Sequence, residues 1–96
     1  TQYDIFFAQL GKKARHQTLK LLSKLRKEGI KVHNNLAKEA LRDQLETAND
    51  LEVDHALILG QKEANNNNII LRDMETGNQE TISQENIVSE VKNLID

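Results

Sequence analysis

Few residues in this chain could do covalent chemistry. His16 falls within an expected helix, His33 closes an expected strand and His55 opens another, so no two share the i,i+4 helical spacing of a metal-binding pair. There is no cysteine, which removes thiol nucleophiles, disulfides and zinc–thiolate sites. Ser23, Ser83 and Ser89 lack the glycine-flanked turn of a nucleophile elbow, and Ser83 reads as a helix cap. Gly11-Lys12-Lys13 precedes a helix, where free amides and two ammonium groups attract an anion. A phosphate loop needs more glycines and a Gly-Lys-Ser/Thr ending, so a looser contact with an RNA phosphate suits this segment better. Glu63 follows the strand-ending Gly60, and Arg72 stands on the next strand; by pattern alone they read as a surface ion pair. No catalytic centre and no metal site are expected.

The elements that position these groups follow from periodicity. Tyr3–Ala8 is a short apolar run closed by Gly11 and reads as a buried strand. Lys12–Glu28 carries Ala14, Thr18, Leu21, Leu22 and Leu25 at helical spacing, with Gly29 as its terminator. Ile30–His33 is a second strand. Asn34 or Asn35 then caps a helix over Ala37–Asp50 with Ala37, Leu41, Leu45 and Ala48 on its apolar face. Asp54–Leu59 is a third strand, and Gln61–Asn68 reads as a polar loop. Ile69–Asp73 and Gln79–Ile82 form a β-hairpin. Ser83 caps a last helix, with Ile82 and Ile87 as a hydrophobic staple and Ile87, Val88, Val91, Leu94 and Ile95 as its buried stripe. The expected fold is α/β: a mixed five-stranded sheet, three strands parallel and two in an antiparallel hairpin, flanked by three helices. In such sheets ligands sit beyond the carboxyl ends of the parallel strands, here Gln9–Lys13, Asn34–Lys38 and Gly60–Glu63.

At 96 residues the chain suits one domain, spanning 1–96. Its opening Thr1-Gln2-Tyr3-Asp4 reads as a cut just before a strand, so a piece of a longer protein is expected. No apolar run approaches the ~20 residues of a membrane span. The net charge is −2, but residues 1–42 hold ten Lys/Arg against three acids, and residues 43–96 hold three against twelve. That asymmetry permits one basic face for an anionic partner. Aromatic residues are scarce, so base stacking would fall to arginine planes.

Five segments, in order, resemble the C-terminal anticodon-binding domain of the class II aminoacyl-tRNA synthetases for histidine, threonine, proline and glycine. They are Asp4–Gly11 (DIFFAQLG), Leu25–Val32 (LRKEGIKV), Leu41–Ala48 (LRDQLETA), Ala56–Glu63 (ALILGQKE) and Ile70–Glu80 (ILRDMETGNQE). The last, with Arg-Asp before a Thr-Gly turn and Gln, is most similar to the histidine enzymes, and Gln44–Ala48 points the same way.

The resemblance implies an RNA-recognition module without a catalytic site or cofactor of its own. The parent would be a cytoplasmic, homodimeric ligase joining histidine to its tRNA with ATP and magnesium in a separate domain. By match to family positions, Glu63 and Arg72 would contact anticodon bases, with Lys38, Arg42 and Gln44 nearby; on such an RNA, Lys12, Lys13 and Lys38 would hold phosphates without reading sequence. The histidine anticodon GUG offers two guanines, whose N1 and N2 hydrogens an ionised Glu63 can accept. Two rivals remain open at this level. One is a synthetase paralogue that does not charge tRNA, serving as a regulatory subunit or in a stress kinase. The other is a flavodoxin-like module for a small molecule or protein.

Overall fold

The computed structural model describes residues 2–34 and 40–95. The strands are β1 (Ile5–Gln9), β2 (Val32–Asn34), β3 (His55–Leu59), β4 (Asn68–Asp73) and β5 (Gln79–Ser83). The helices are α1 (Lys12–Lys27), α2 (Leu41–Asp50), α3 (Gln61–Asn65) and α4 (Ile87–Ile95), the last preceded by a 3-10 turn at Gln84–Asn86. They form one sheet in the order β2-β1-β3-β4-β5. β1 runs parallel to both β2 and β3, and β4 is antiparallel to both β3 and β5. The chain steps from β1 to β2 in one direction and from β2 to β3 in the other. Right-handed crossovers then place α1 and α2 on opposite faces.

This explains why every residue of β1 is buried. Ile5 and Phe7 pack with Ala14, Leu21, Leu22 and Leu25 of α1, and this core continues through Leu57, Leu59, Ile69 and Leu71 to Ile87 and Val91 of α4. Phe6 and Ala8 face the other way, against Ala56 and Ile58 of β3, Ala48 of α2, and the half-buried Leu41 and Leu45. The five residues expected to form the α1 stripe are its five buried ones. Gly29, at φ +80°, ends α1: its N–H donates to the Arg26 carbonyl at 3.0 Å and that of Ile30 to Leu25 at 3.2 Å. This is the Schellman arrangement that glycine favours.

Four local expectations need correction. The expected polar loop contains α3, so the described residues hold four helices. Five residues are too few to show helical periodicity; burial of Ala64 and a bond from Gly60 N–H to the Glu63 carboxylate at 3.1 Å hold it instead. Asn34 is not the cap of α2. It belongs to β2, and its amide donates to the Phe7 carbonyl at 2.8 Å. Ala40 occupies the cap position with no side-chain bond, while Asn35 and the expected first turn at 37–39 lie outside the described residues. Leu94 and Ile95 are exposed at 39% and 40%; the buried part of the α4 stripe is Ile87 and Val91, with Val88 half-buried against the same core. Ser83 does cap the last helical segment, accepting the Glu85 N–H, but that first turn is 3-10. No helix among the described residues is long and apolar enough to cross a membrane.

Candidate nucleic-acid interface

The sheet reverses its winding between β1 and β3, and their carboxyl ends lie side by side, Leu10 N–H donating to the Leu59 carbonyl at 2.9 Å. Such switch points are where open α/β sheets leave a crevice. Gly11, at φ +88°, turns the chain from β1 into α1, so Lys12 and Lys13 stand exposed at this end. Lys13 Nζ reaches Asn65 Oδ1 of α3 at 2.5 Å, tying the two helix ends together.

Glu63 belongs to the same end. Its Oε1 accepts from Gly60 N–H, the glutamate half of a capping box whose reciprocal half glycine lacks. The other carboxylate oxygen has no hydrogen-bond partner among the described residues. It can therefore accept from an incoming donor without disturbing the cap, whereas taking two donors at once means releasing Gly60.

Gln44 also serves this end, but from inside. It is 1% exposed, and its amide bridges the backbone of Gln9 in both directions: Gln9 N–H donates to Oε1 at 3.1 Å, and Nε2 donates to the Gln9 carbonyl at 2.9 Å. Gln9 lies beyond Phe7, the last β1 residue in described register with β2, and the amide supplies a ladder-like partner for its backbone. The expected contact between Gln44 and a base does not fit this burial; the residue positions the β1 tip instead. Arg42, two residues earlier on α2, is exposed. Lys38 lies outside the described residues.

Arg72 is not at the strand tips. It pairs in register with Ala56, three residues before the end of β3, which places it about 10 Å down the sheet. No ion pair with Glu63 forms, and the expected cradle of three tips does not contain both residues. Alternation along β4 supplies another connection. Ile69 and Leu71 enter the α1-side core and Ile70 the α2-side core, so Asn68 and Arg72 also face the α2 side. Their register partners Ser83, Thr81 and Gln79 share that face. The α2-side core is built on β1 and β3, leaving Gln79 and Thr81 exposed and Asn68, Ile70, Arg72 and Ser83 half-buried. An open strip of hydrogen-bonding side chains, with Ile70 at its middle, thus runs from the tip of β3 to Arg72.

At its far end Arg72 Nη1 donates to Gln79 Oε1 at 2.9 Å, while Nε is buried without a partner. The Arg72 guanidinium also borders Gly77, where an added Cβ would stand 3.6 Å from Nη2. The turn below it is set by Asp73, whose carboxylate accepts the N–H groups of Glu75 at 2.9 Å and Thr76 at 3.0 Å. The Thr76 N–H bond is the main cause that holds the Asp73 carboxyl below its ordinary value.

Residues 4–94 match the sequence model of the anticodon binding domain. The chain belongs to that family. A histidine–tRNA ligase of Thermosipho melanesiensis is 38% identical over 93 residues, covering 97% of this chain and 22% of the relative. That of Staphylococcus haemolyticus is 33% identical over 87 residues, covering 91% of this chain and 21% of the relative. The crystal structure of apo S. aureus histidyl-tRNA synthetase superposes with a TM-score of 0.84 at 30% identity, over 94% of this chain and 26% of that one. The chain thus spans about a fifth of the length of the curated relatives it matches.

For this anticodon-binding-domain member the flavodoxin-like reading is set aside. Its strand order does coincide with the flavodoxin order, but β4 runs against its neighbours and breaks the all-parallel sheet of that class. Sequence reasoning missed the polar row of Asn68, Gln79, Thr81 and Ser83. The signal was available in the alternation of β4 and β5, whose second face carries polar residues where a covered sheet would carry apolar ones.

Proposed function

We propose that this chain recognises the anticodon of tRNA, as the RNA-reading part of a ligase that attaches histidine to its tRNA. The observation that carries this is the open strip itself, an uncovered row of donors and acceptors with a carboxylate at one end and a guanidinium at the other. Splayed bases lying along the strip would present their Watson–Crick edges to it. Glu63, acceptor-only when ionised, favours a guanine edge near the tip. Arg72, with its unpartnered Nε, suits a base oxygen or a stacked ring at the far end. Lys12, Lys13 and Arg42 hold phosphates or the adjoining loop without reading sequence, and Lys38 is assigned to the same group by family position.

The rest of such a ligase would supply ATP- and magnesium-dependent activation of histidine in a cytoplasmic homodimer. A synthetase paralogue that no longer charges tRNA would use the same surface, and histidine charging by the full-length protein separates the two.

Glu63→Gln is the informative variant. The amide oxygen can still accept from Gly60 N–H, so the cap survives, but the second position becomes a donor facing a donor. Binding of a stem-loop with a GUG anticodon should weaken by ~1–3 kcal/mol, and the preference over altered anticodons should shrink. Unchanged affinity and unchanged preference would remove Glu63 from base reading.

A further inference from the structure

α1 carries seven Lys/Arg and no acid between Lys12 and Lys27. None of the seven has a carboxylate within ion-pairing distance among the described residues, where the ion pair present is Lys92–Glu28 at 2.7 Å. Lys13, Lys20, Lys24 and Lys27 recur at seven-, four- and three-residue steps, so they share one flank of the helix over about 21 Å. All four are exposed. The stripe begins at Lys13, bonded to α3 beside Glu63, and runs away from the strand tips.

A groove of about 390 Å³ follows this stripe. Gln17, Lys20, Leu21 and Lys24 form one wall; Asn67, Ser83, Gln84 and Glu85 form the other. Its floor is fixed by Gln84, whose Nε2 donates to Gln17 Oε1 at 2.7 Å and to the Asn68 carbonyl at 3.0 Å. Ser83 and Asn68 are also the tip end of the open strip. The strip and the cationic groove therefore meet around one pair of residues. Glu85 on the far wall repels an anion lodged deep in the groove and leaves the lysine lip as its place.

We infer that the Lys20–Lys24 lip is a second, sequence-independent contact for tRNA, taking the sugar–phosphate backbone of the anticodon stem while the strip reads the loop. Charge complementarity selects the occupant: ammonium groups one helical turn apart, unneutralised by the protein, suit consecutive phosphates of a duplex strand. This rests on the proposed anticodon reading, because the strip fixes which end of the RNA lies at Ser83.

The test is Lys20→Gln/Lys24→Gln in the present chain, with binding measured across a salt series. The probes are a histidine anticodon stem-loop, the same stem-loop with an altered anticodon, and the loop sequence as a single strand. Two duplex phosphate contacts predict a salt slope smaller by about 1.8, so that relative to 1 M salt the variant falls behind by roughly sixtyfold at 0.1 M. The loss should be equal for both stem-loops and absent for the single strand, and Lys20→Arg/Lys24→Arg should retain binding. Unchanged stem-loop affinity would overturn the contact, as would an equal loss on the single strand; the unchanged case would leave the lip for an acidic protein surface. Failure of the anticodon reading has a different signature, in which the parent chain binds both stem-loops equally while the lysine variant still loses duplex binding.

Discussion

Gln44→Leu separates a residue that builds the site from one that touches RNA. The substitution roughly keeps side-chain volume and removes both hydrogen bonds to Gln9, at 3.1 and 2.9 Å. The backbone N–H and carbonyl of Gln9 then lose these partners. Each unsatisfied buried group costs ~1–3 kcal/mol, and burial of leucine offsets about 1 kcal/mol of the sum, leaving a net loss of ~1–5 kcal/mol. A domain of this size has a stability of roughly 5–15 kcal/mol, so the variant remains folded without denaturant. With a urea m-value of about 1 kcal/mol/M, the midpoint should fall by ~1–5 M at unchanged m. Cognate RNA should still be preferred over altered anticodons, because the side chain faces Gln9 and is shielded from solvent. An unchanged urea midpoint together with a large loss of base preference would refute this reasoning and restore Gln44 as a base contact.

Gly60→Ala should disturb Glu63 without straining the backbone, since Gly60 has extended dihedrals while its new Cβ would stand 2.8 Å from Glu63 Oε1. The carboxylate must swing away, costing α3 about 1 kcal/mol and lowering base preference, as thermal unfolding and stem-loop competition would show. Asp73 makes the hairpin acid-sensitive. Its carboxyl titrates below the ordinary value because the N–H of Thr76 donates to it, so its contribution is complete above that ordinary value and is lost as pH falls through the lowered native one. Amide exchange at Glu75 and Thr76 should accelerate in that acid window, and Asp73→Asn should abolish the pH dependence. Lys13→Ala should weaken all tRNAs alike and reduce the salt slope by about 0.9, with the preference between anticodons unaltered.

Most of the fold was legible because its signals are periodic. The α1 stripe, the apolar runs of β1 and β3, and the turn at Glu75–Asn78 repeat at the helical or strand period or carry turn residues. Features set by a single contact were not legible. α3 exists because Ala64 fills a core position and Glu63 reaches Gly60, neither of which leaves a period. Asn34 looks like a helix cap in sequence, yet the Phe7 carbonyl beside it makes it an edge-strand anchor. Gln44 has the residue type of a reader and the burial of a brace, and only its packing over the Gln9 backbone distinguishes the two. The position of Arg72 depended on register: each residue of β4 moves it about 3.3 Å from the tip, and register is a property of the pairing with β3.

The two ends of the strip are held in a similar condition. Glu63 commits one oxygen to a helix cap and leaves the other without a partner; Arg72 commits Nη1 to Gln79 and leaves Nε buried without one. In each case the protein bond fixes the side chain, so little rotamer freedom remains to be lost on binding. The remaining group then pairs only when a ligand arrives, and a buried N–H without a partner is costly until it does. A base of the wrong edge leaves that group unpaired as well, so discrimination exceeds what the hydrogen bonds gained would supply alone. Arg72→Lys tests this logic, because a lysine keeps the charge but has no Nε–H and no planar fork. Its nonspecific RNA affinity and salt slope should match the parent while its base preference falls. A variant that kept full preference would show that Arg72 contributes charge and not geometry.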